Sequence, residues 1–136
     1  MKATSTLKNI LFTVFTVFVL FTTTIKAQTL TFCESIDSNG DPVTTATSFI
    51  IPADGGYFYF YVKLGKKVNS TEIHYNIYSI DNNSKEIFEK TIYQDVETDW
   101  AYFYKKMTFY HTGDYMIYVY DKNSNFLASG KVRVKS

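Results

Sequence analysis

The amino-acid sequence predicts an all-β protein, an antiparallel sandwich of about seven or eight short strands behind a cleaved N-terminal leader. Three observations carry that expectation. After residue 27 the apolar side chains recur with period two, the signature of strands that bury one face. Clusters of Asp, Asn, Ser and Gly break the runs at regular intervals. No stretch sustains the 3.6-residue apolar period of a helix, so almost no helix is expected.

The first 27 residues read as a signal peptide. Lys2 and Lys8 give a basic start, Ile10 to Phe21 is apolar apart from threonines, and Ile25-Lys26-Ala27 offers a small residue before Gln28. The strictly apolar core is about a dozen residues, against the roughly 20 that a spanning helix needs, so no membrane span is expected once the leader is removed. Lipidation is not expected either, because bulky Phe32 precedes Cys33 where a lipobox requires a small residue. The chain is thus read as 1–27 signal peptide and 28–136 a single domain. Export, to the periplasm, cell surface or beyond, is the firmest expectation about its location.

Strands follow at about 29–36, 46–52, 56–64, 71–80, 86–94, 101–110, 114–121 and 126–135. The alternation is clearest where Phe58, Phe60, Val62 and Leu64 oppose Tyr57, Tyr59, Tyr61 and Lys63. Likewise Ile73, Tyr75 and Ile77 oppose His74, Asn76 and Tyr78, and Tyr115, Ile117 and Val119 oppose Met116, Tyr118 and Tyr120. Between strands, Asp37-Ser38-Asn39-Gly40-Asp41-Pro42 and Asp54-Gly55-Gly56 have turn chemistry, and residues 81–84 and 122–125 read as hairpin loops. Cys33 is the single cysteine, so no internal disulfide can form, and it reads as a small buried hydrophobe.

Removing the leader takes three of the 14 basic residues and none of the 13 acidic ones, so the net charge moves from +1 to −2 over the remaining 109 residues. With Arg133 the only arginine and no basic patch, nucleic acid is not an expected partner. One domain of this length carries one core.

His111-Thr112-Gly113-Asp114-Tyr115-Met116-Ile117 resembles the tyrosine corner of immunoglobulin-like domains, where Asp-x-Gly-x-Tyr-x-Cys marks the turn into strand F. The resemblance implies an Ig-like sandwich without its disulfide, with Gly113 as the permissive turn residue and Tyr115 as the corner tyrosine. It departs from the pattern at His111, and neither disulfide cysteine is present. Ig order would set Tyr57, Tyr59 and Tyr61 beside Tyr102 and Tyr104 on one outer face, and Tyr78 beside Tyr118 and Tyr120 on the other. The last two strands also resemble the C-terminal sorting domains of the type IX secretion pathway, a pattern that any closing hairpin of a sandwich produces.

Chemistry-bearing motifs are absent. His74 and His111 lie on different elements, and zinc needs three or four converging ligands, so no metal site is expected. The loop from Glu34 to Asp41 begins like a calcium loop, but Pro42 stands where glycine is required, and a surface turn is the reading. Glu86, Glu89, Asp95, Glu97 and Asp99 are carboxylates without a recognisable pairing, so no enzyme and no cofactor is expected. What remains is an aromatic surplus of 12 tyrosines, 12 phenylalanines and Trp100. The expectation is a non-catalytic exported binding or structural module of the bacterial envelope, partnered by an envelope protein or a glycan. The candidate binding residues are Tyr57, Tyr59, Tyr61, Trp100, Tyr102 and Tyr104, and the alternative is a carbohydrate-binding module that stacks sugars on them.

Overall fold

The computed structural model describes residues 28–136; the signal-peptide reading of 1–27 lies outside the described residues. Among the described residues, nine strands form two sheets. They are β1 (Thr29–Ile36), β2 (Pro42–Thr45), β3 (Ser48–Ile50), β4 (Gly56–Lys63), β5 (Glu72–Ile80), β6 (Glu86–Asp95), β7 (Tyr102–Phe109), β8 (Gly113–Asp121) and β9 (Phe126–Lys135). One sheet runs β2-β1-β4-β7, the other β3-β9-β8-β5-β6, and their inner faces pack on each other as a sandwich.

The inner faces follow from period-two alternation. Phe58, Phe60 and Val62 of β4 and Ile73, Tyr75 and Ile77 of β5 are buried, as are Tyr115, Ile117 and Val119 of β8. At the centre, Phe58 is stacked between Phe49 and Phe109, with ring centroids 4.2 and 4.9 Å away. Phe32 meets Phe60 edge to face at 5.2 Å. Aromatic burial of this kind does the work that a disulfide does in many small secreted domains.

The expected strand at 46–52 is corrected by the structure. Residues 42–50 form two short strands on opposite sheets, which makes nine strands rather than seven or eight. β2 pairs with β1, and β3 pairs in parallel with β9. The chain changes sheets at Ala46 and Thr47: the Ala46 N–H donates to the Phe32 carbonyl, while the Thr47 carbonyl accepts from the Arg133 N–H. Thr44, held at φ 55°, helps turn the backbone there. The alternation near residue 45 carries no mark of this crossing, because each half is too short to show a period.

Three hairpin loops share one design. Asp37, Asp81 and Asp121 each accept two backbone N–H bonds at 2.9 Å, from the residues two and four positions on. The residue three positions on then takes a positive φ: Gly40 at 80°, Ser84 at 64° and Ser124 at 65°. An aspartate that caps its own turn is what makes these short polar runs fold locally. At the start of β8, the Tyr115 hydroxyl donates to the His111 carbonyl at 2.8 Å, and Gly113 between them sits at φ 142°.

Candidate functional site

β4 and β7 are neighbours, with Tyr61 opposite Tyr104 and Lys63 opposite Tyr102. Their outward side chains make a connected run of rings. Tyr57 meets Tyr59 at 6.4 Å and Tyr59 meets Tyr104 at 6.4 Å, while Tyr61 stacks with Tyr104 at 6.5 Å and with Tyr102 at 5.8 Å. The six candidate residues do not share one environment. Tyr61 is only 7% exposed, whereas Tyr102 and Tyr104 stay 44% and 41% exposed. Tyr57, more open still, has the Lys106 ammonium 3.8 Å from its ring centroid.

The burial of Tyr61 has a visible cause. The turn from Asp37 to Asp41 folds back over this end of the sheet, so closely that a Cβ on Gly40 would lie 2.7 Å from the Tyr102 hydroxyl. Burial, then the nearby Asp41 charge, pushes the Tyr61 hydroxyl pKa upward. Cys33, on the same outer side next to Tyr59, is fully buried, and burial raises its thiol pKa against a hydrogen bond with the Val43 backbone. Tyr61 and Cys33 therefore support the face from below and do not present to solvent.

Trp100, Tyr102 and Tyr104 line a groove of about 640 Å³ together with Gln94, Asp99, Ala101 and Phe103. The loop before β7 fixes the tryptophan: its N–H donates to the Glu97 carbonyl at 3.1 Å, and its carbonyl accepts from the Val68 N–H at 2.7 Å. The neighbouring Ala101 carbonyl accepts from the Leu64 N–H at 2.9 Å. Trp100 is 41% exposed on this anchored backbone. Phe103, between the two tyrosines, turns inward and is buried, so β7 holds the groove against the core.

Gln94, which the sequence reading did not single out, closes the wall. Its side-chain oxygen accepts from the buried Tyr75 hydroxyl at 2.7 Å, and its Nε2 donates to the Tyr104 carbonyl at 2.9 Å. The amide thus bridges the two sheets beside the groove. Burial pushes the Tyr75 hydroxyl strongly upward, so it remains a neutral donor. Alternation puts Gln94 on the inner side of β6, but only the tertiary register shows that it reaches Tyr104.

The outer face of the second sheet is aromatic too. Phe126, Tyr120, His74 and Tyr93 form a row across four strands at 6.0, 5.4 and 5.8 Å, and Tyr78 touches Tyr118 and Phe88, each at 5.5 Å. Glu86 accepts from the Tyr118 hydroxyl at 2.7 Å, which pushes that hydroxyl pKa up to about 12. Most of these contacts are tilted or edge to face, and only His74 and Tyr120 stack. A polar cleft of about 600 Å³ lies near Gly113, lined by side chains that include Asp81, Asp114, Lys131 and Arg133. Asp114 and Arg133 are paired there at 2.7 Å. Among the described residues, no group of three or more His, Cys, Asp or Glu is placed to hold a metal ion.

No family model matches the chain, and no curated protein matches it. Solved structures do. An immunoglobulin-like protein from Pseudomonas aeruginosa superposes with a TM-score of 0.50 at 13% identity, covering 78% of this chain and 91% of that one. Looser likenesses are a superoxide reductase (neelaredoxin) from Ignicoccus hospitalis (TM-score 0.40, 11% identity, 78% and 83% covered) and a CARDB domain from Pyrococcus furiosus (0.35, 17%, 80% and 91%). The likeness to the Pseudomonas aeruginosa protein, with the two-sheet topology, establishes that residues 28–136 have an immunoglobulin-like β-sandwich fold. A fold of this kind hosts many unrelated roles and names none.

Proposed function

We propose that this immunoglobulin-like sandwich is a non-catalytic binding module exported to the bacterial cell envelope, and that the groove at Trp100, Tyr102 and Tyr104 receives its partner. Export rests on the charged and apolar leader. One observation carries the choice of site: a loop pinned by backbone hydrogen bonds presents a half-exposed tryptophan beside two half-exposed tyrosines. Large aromatic side chains held rigid in advance lose little entropy on binding, and they dominate binding energy where they are found. The groove sets one carboxylate and one amide beside these rings, without a nucleophile and base in contact, which suits recognition better than turnover.

A glycan is the second reading. Asp99 and Gln94 lie beside the rings, and a sugar offers hydroxyls around the edge of an apolar ring face. The test is capture from envelope fractions with the exported chain and its Trp100→Ala and Tyr104→Ala variants, with a glycan array run alongside. Loss of a central aromatic anchor costs about 2 kcal/mol or more, so capture falls roughly 30-fold in Trp100→Ala. Capture that neither substitution changes overturns the site. An array with no hit rejects the glycan reading and leaves an envelope protein as the partner.

A further inference from the structure

From the outward cations of β9 we infer that the cleft beside β3 is a binding site for a phosphate monoester. The inference is independent of the aromatic groove, which lies along β7 of the other sheet. Val132 and Val134 are buried, so alternation turns Lys131, Arg133 and Lys135 to the outer face of the five-stranded sheet, where all three are exposed. Their Cα atoms recur about every 6.6 Å along the strand. The parallel pairing of β3 sets Ser48 beside Arg133 and Ile50 beside Lys135 on that same face. The Thr47 carbonyl accepts from the Arg133 N–H at 2.8 Å and fixes this approach.

The ligand follows from size and charge. The cleft has a volume of about 370 Å³, and its polar lining is Thr47, Ser48, Asp114, Lys131, Arg133 and Lys135. That volume is near the lower end for ligand pockets and suits one charged group rather than an extended chain. Three cations against one carboxylate leave a charge of +2. A phosphate monoester carries about −1.5 to −2 at neutral pH and matches this balance better than a singly charged carboxylate does. The larger cleft near Gly113 shares these cations but adds the Asp81 carboxylate, so it suits an anion less well.

Arg133 is held ready for such a ligand. Its Nε and Nη2 donate to the two Asp114 carboxylate oxygens at 2.7 and 3.1 Å, which keeps the planar fork in one orientation. A guanidinium has five N–H groups, so three remain on Nη1 and Nη2 to meet phosphate oxygens. The Arg133 side chain is 59% exposed, and a ligand can reach it. Lys131 and Lys135 flank it as compact point charges on flexible stems, and the Ser48 hydroxyl adds a neutral donor from β3. Asp114 is a positioning residue here: it orients Arg133 and does not itself meet the anion.

Titration of the isotope-labelled protein with inorganic phosphate, followed by NMR at constant ionic strength, tests the site. The expected result is a saturable shift of the Arg133 Nε–H and of the Ser48 and Lys131 amides. Affinity falls roughly tenfold or more in Arg133→Gln and less in Lys135→Gln, which breaks no ion pair. It is unchanged in Lys66→Gln, which removes an exposed lysine from the loop between β4 and β5. Glucose-6-phosphate, and phosphatidylcholine vesicles with and without phosphatidic acid, separate the sources. Tighter binding of the sugar phosphate assigns a phosphorylated glycan, co-sedimentation lost in Arg133→Gln assigns a lipid headgroup, and neither leaves free phosphate as the ligand. Cations that serve only solubility predict shifts that do not saturate and that all three substitutions alter alike. That outcome, or phosphate binding indifferent to Arg133→Gln, overturns the inference.

Discussion

Tyr75, Gln94 and Tyr104 tie the two sheets together beside the groove, and removing either end of the Tyr75–Gln94 bond has unequal consequences. Tyr75→Phe deletes a hydroxyl that donates to Gln94 at 2.7 Å and leaves the buried ring in place. Gln94 is half-buried, so water can serve its freed oxygen, and the loss is one net hydrogen bond, about 1 kcal/mol. Gln94→Ala is worse: it strands the buried Tyr75 hydroxyl, at about 1–3 kcal/mol, and also ends the bond to the Tyr104 carbonyl. At about 4–8 °C per kcal/mol for a domain of roughly this size, Tyr75→Phe lowers Tm by about 4–8 °C and Gln94→Ala by more. The double variant falls short of the sum of the two, because the orphaned hydroxyl is gone. Thermal and urea unfolding followed by circular dichroism measures all three. Were Gln94→Ala the milder change, or the two effects additive, the bridge would not be holding the sheets.

Further outcomes concern the corner, the loops and acid. Tyr115→Phe removes the bond to the His111 carbonyl and lowers unfolding free energy by about 1–2 kcal/mol, measured by urea denaturation. Ser124→Gly relieves a positive φ and raises stability by about 0.5 kcal/mol, while Gly40→Ala, which meets both its φ of 80° and the Tyr102 hydroxyl, lowers it; the midpoints should move in opposite directions. The hydrogen bond from Arg133 holds the Asp114 carboxyl below its ordinary value. A carboxylate depressed in the folded state contributes stability at neutral pH that disappears as pH falls through its folded pKa. Asp114→Asn therefore flattens the loss of stability below about pH 4 in an acid titration of Tm.

Most of the strands were legible because each buries one face and repeats for eight or more residues, as β1, β4, β5 and β7 to β9 do. The aspartate loops were legible because their chemistry is local. What escaped was set at a distance. β2 and β3 are too short for periodicity, and the parallel pairing of Phe49 with Val134 joins residues far apart in the chain. The bulge at Glu89 leaves the composition of β6 ordinary while shifting its register against β5 by one residue. Tyr61 reads like its neighbours Tyr57 and Tyr59, and only the fold of the Asp37 turn onto Tyr102 covers it. Gln94 looked like any polar residue near a strand end; its meaning lies in Tyr75 and Tyr104, one from each sheet.

Trp100 is the sole tryptophan of the chain, so its fluorescence reports on the groove without competition from another indole. Titrating the protein with the captured partner or the array-identified glycan tests the central claim most directly. Occupation of the groove predicts a saturable blue shift of the Trp100 emission, with a midpoint equal to the independently measured affinity. Binding at that affinity with an unchanged emission spectrum would contradict it and move the site to another face.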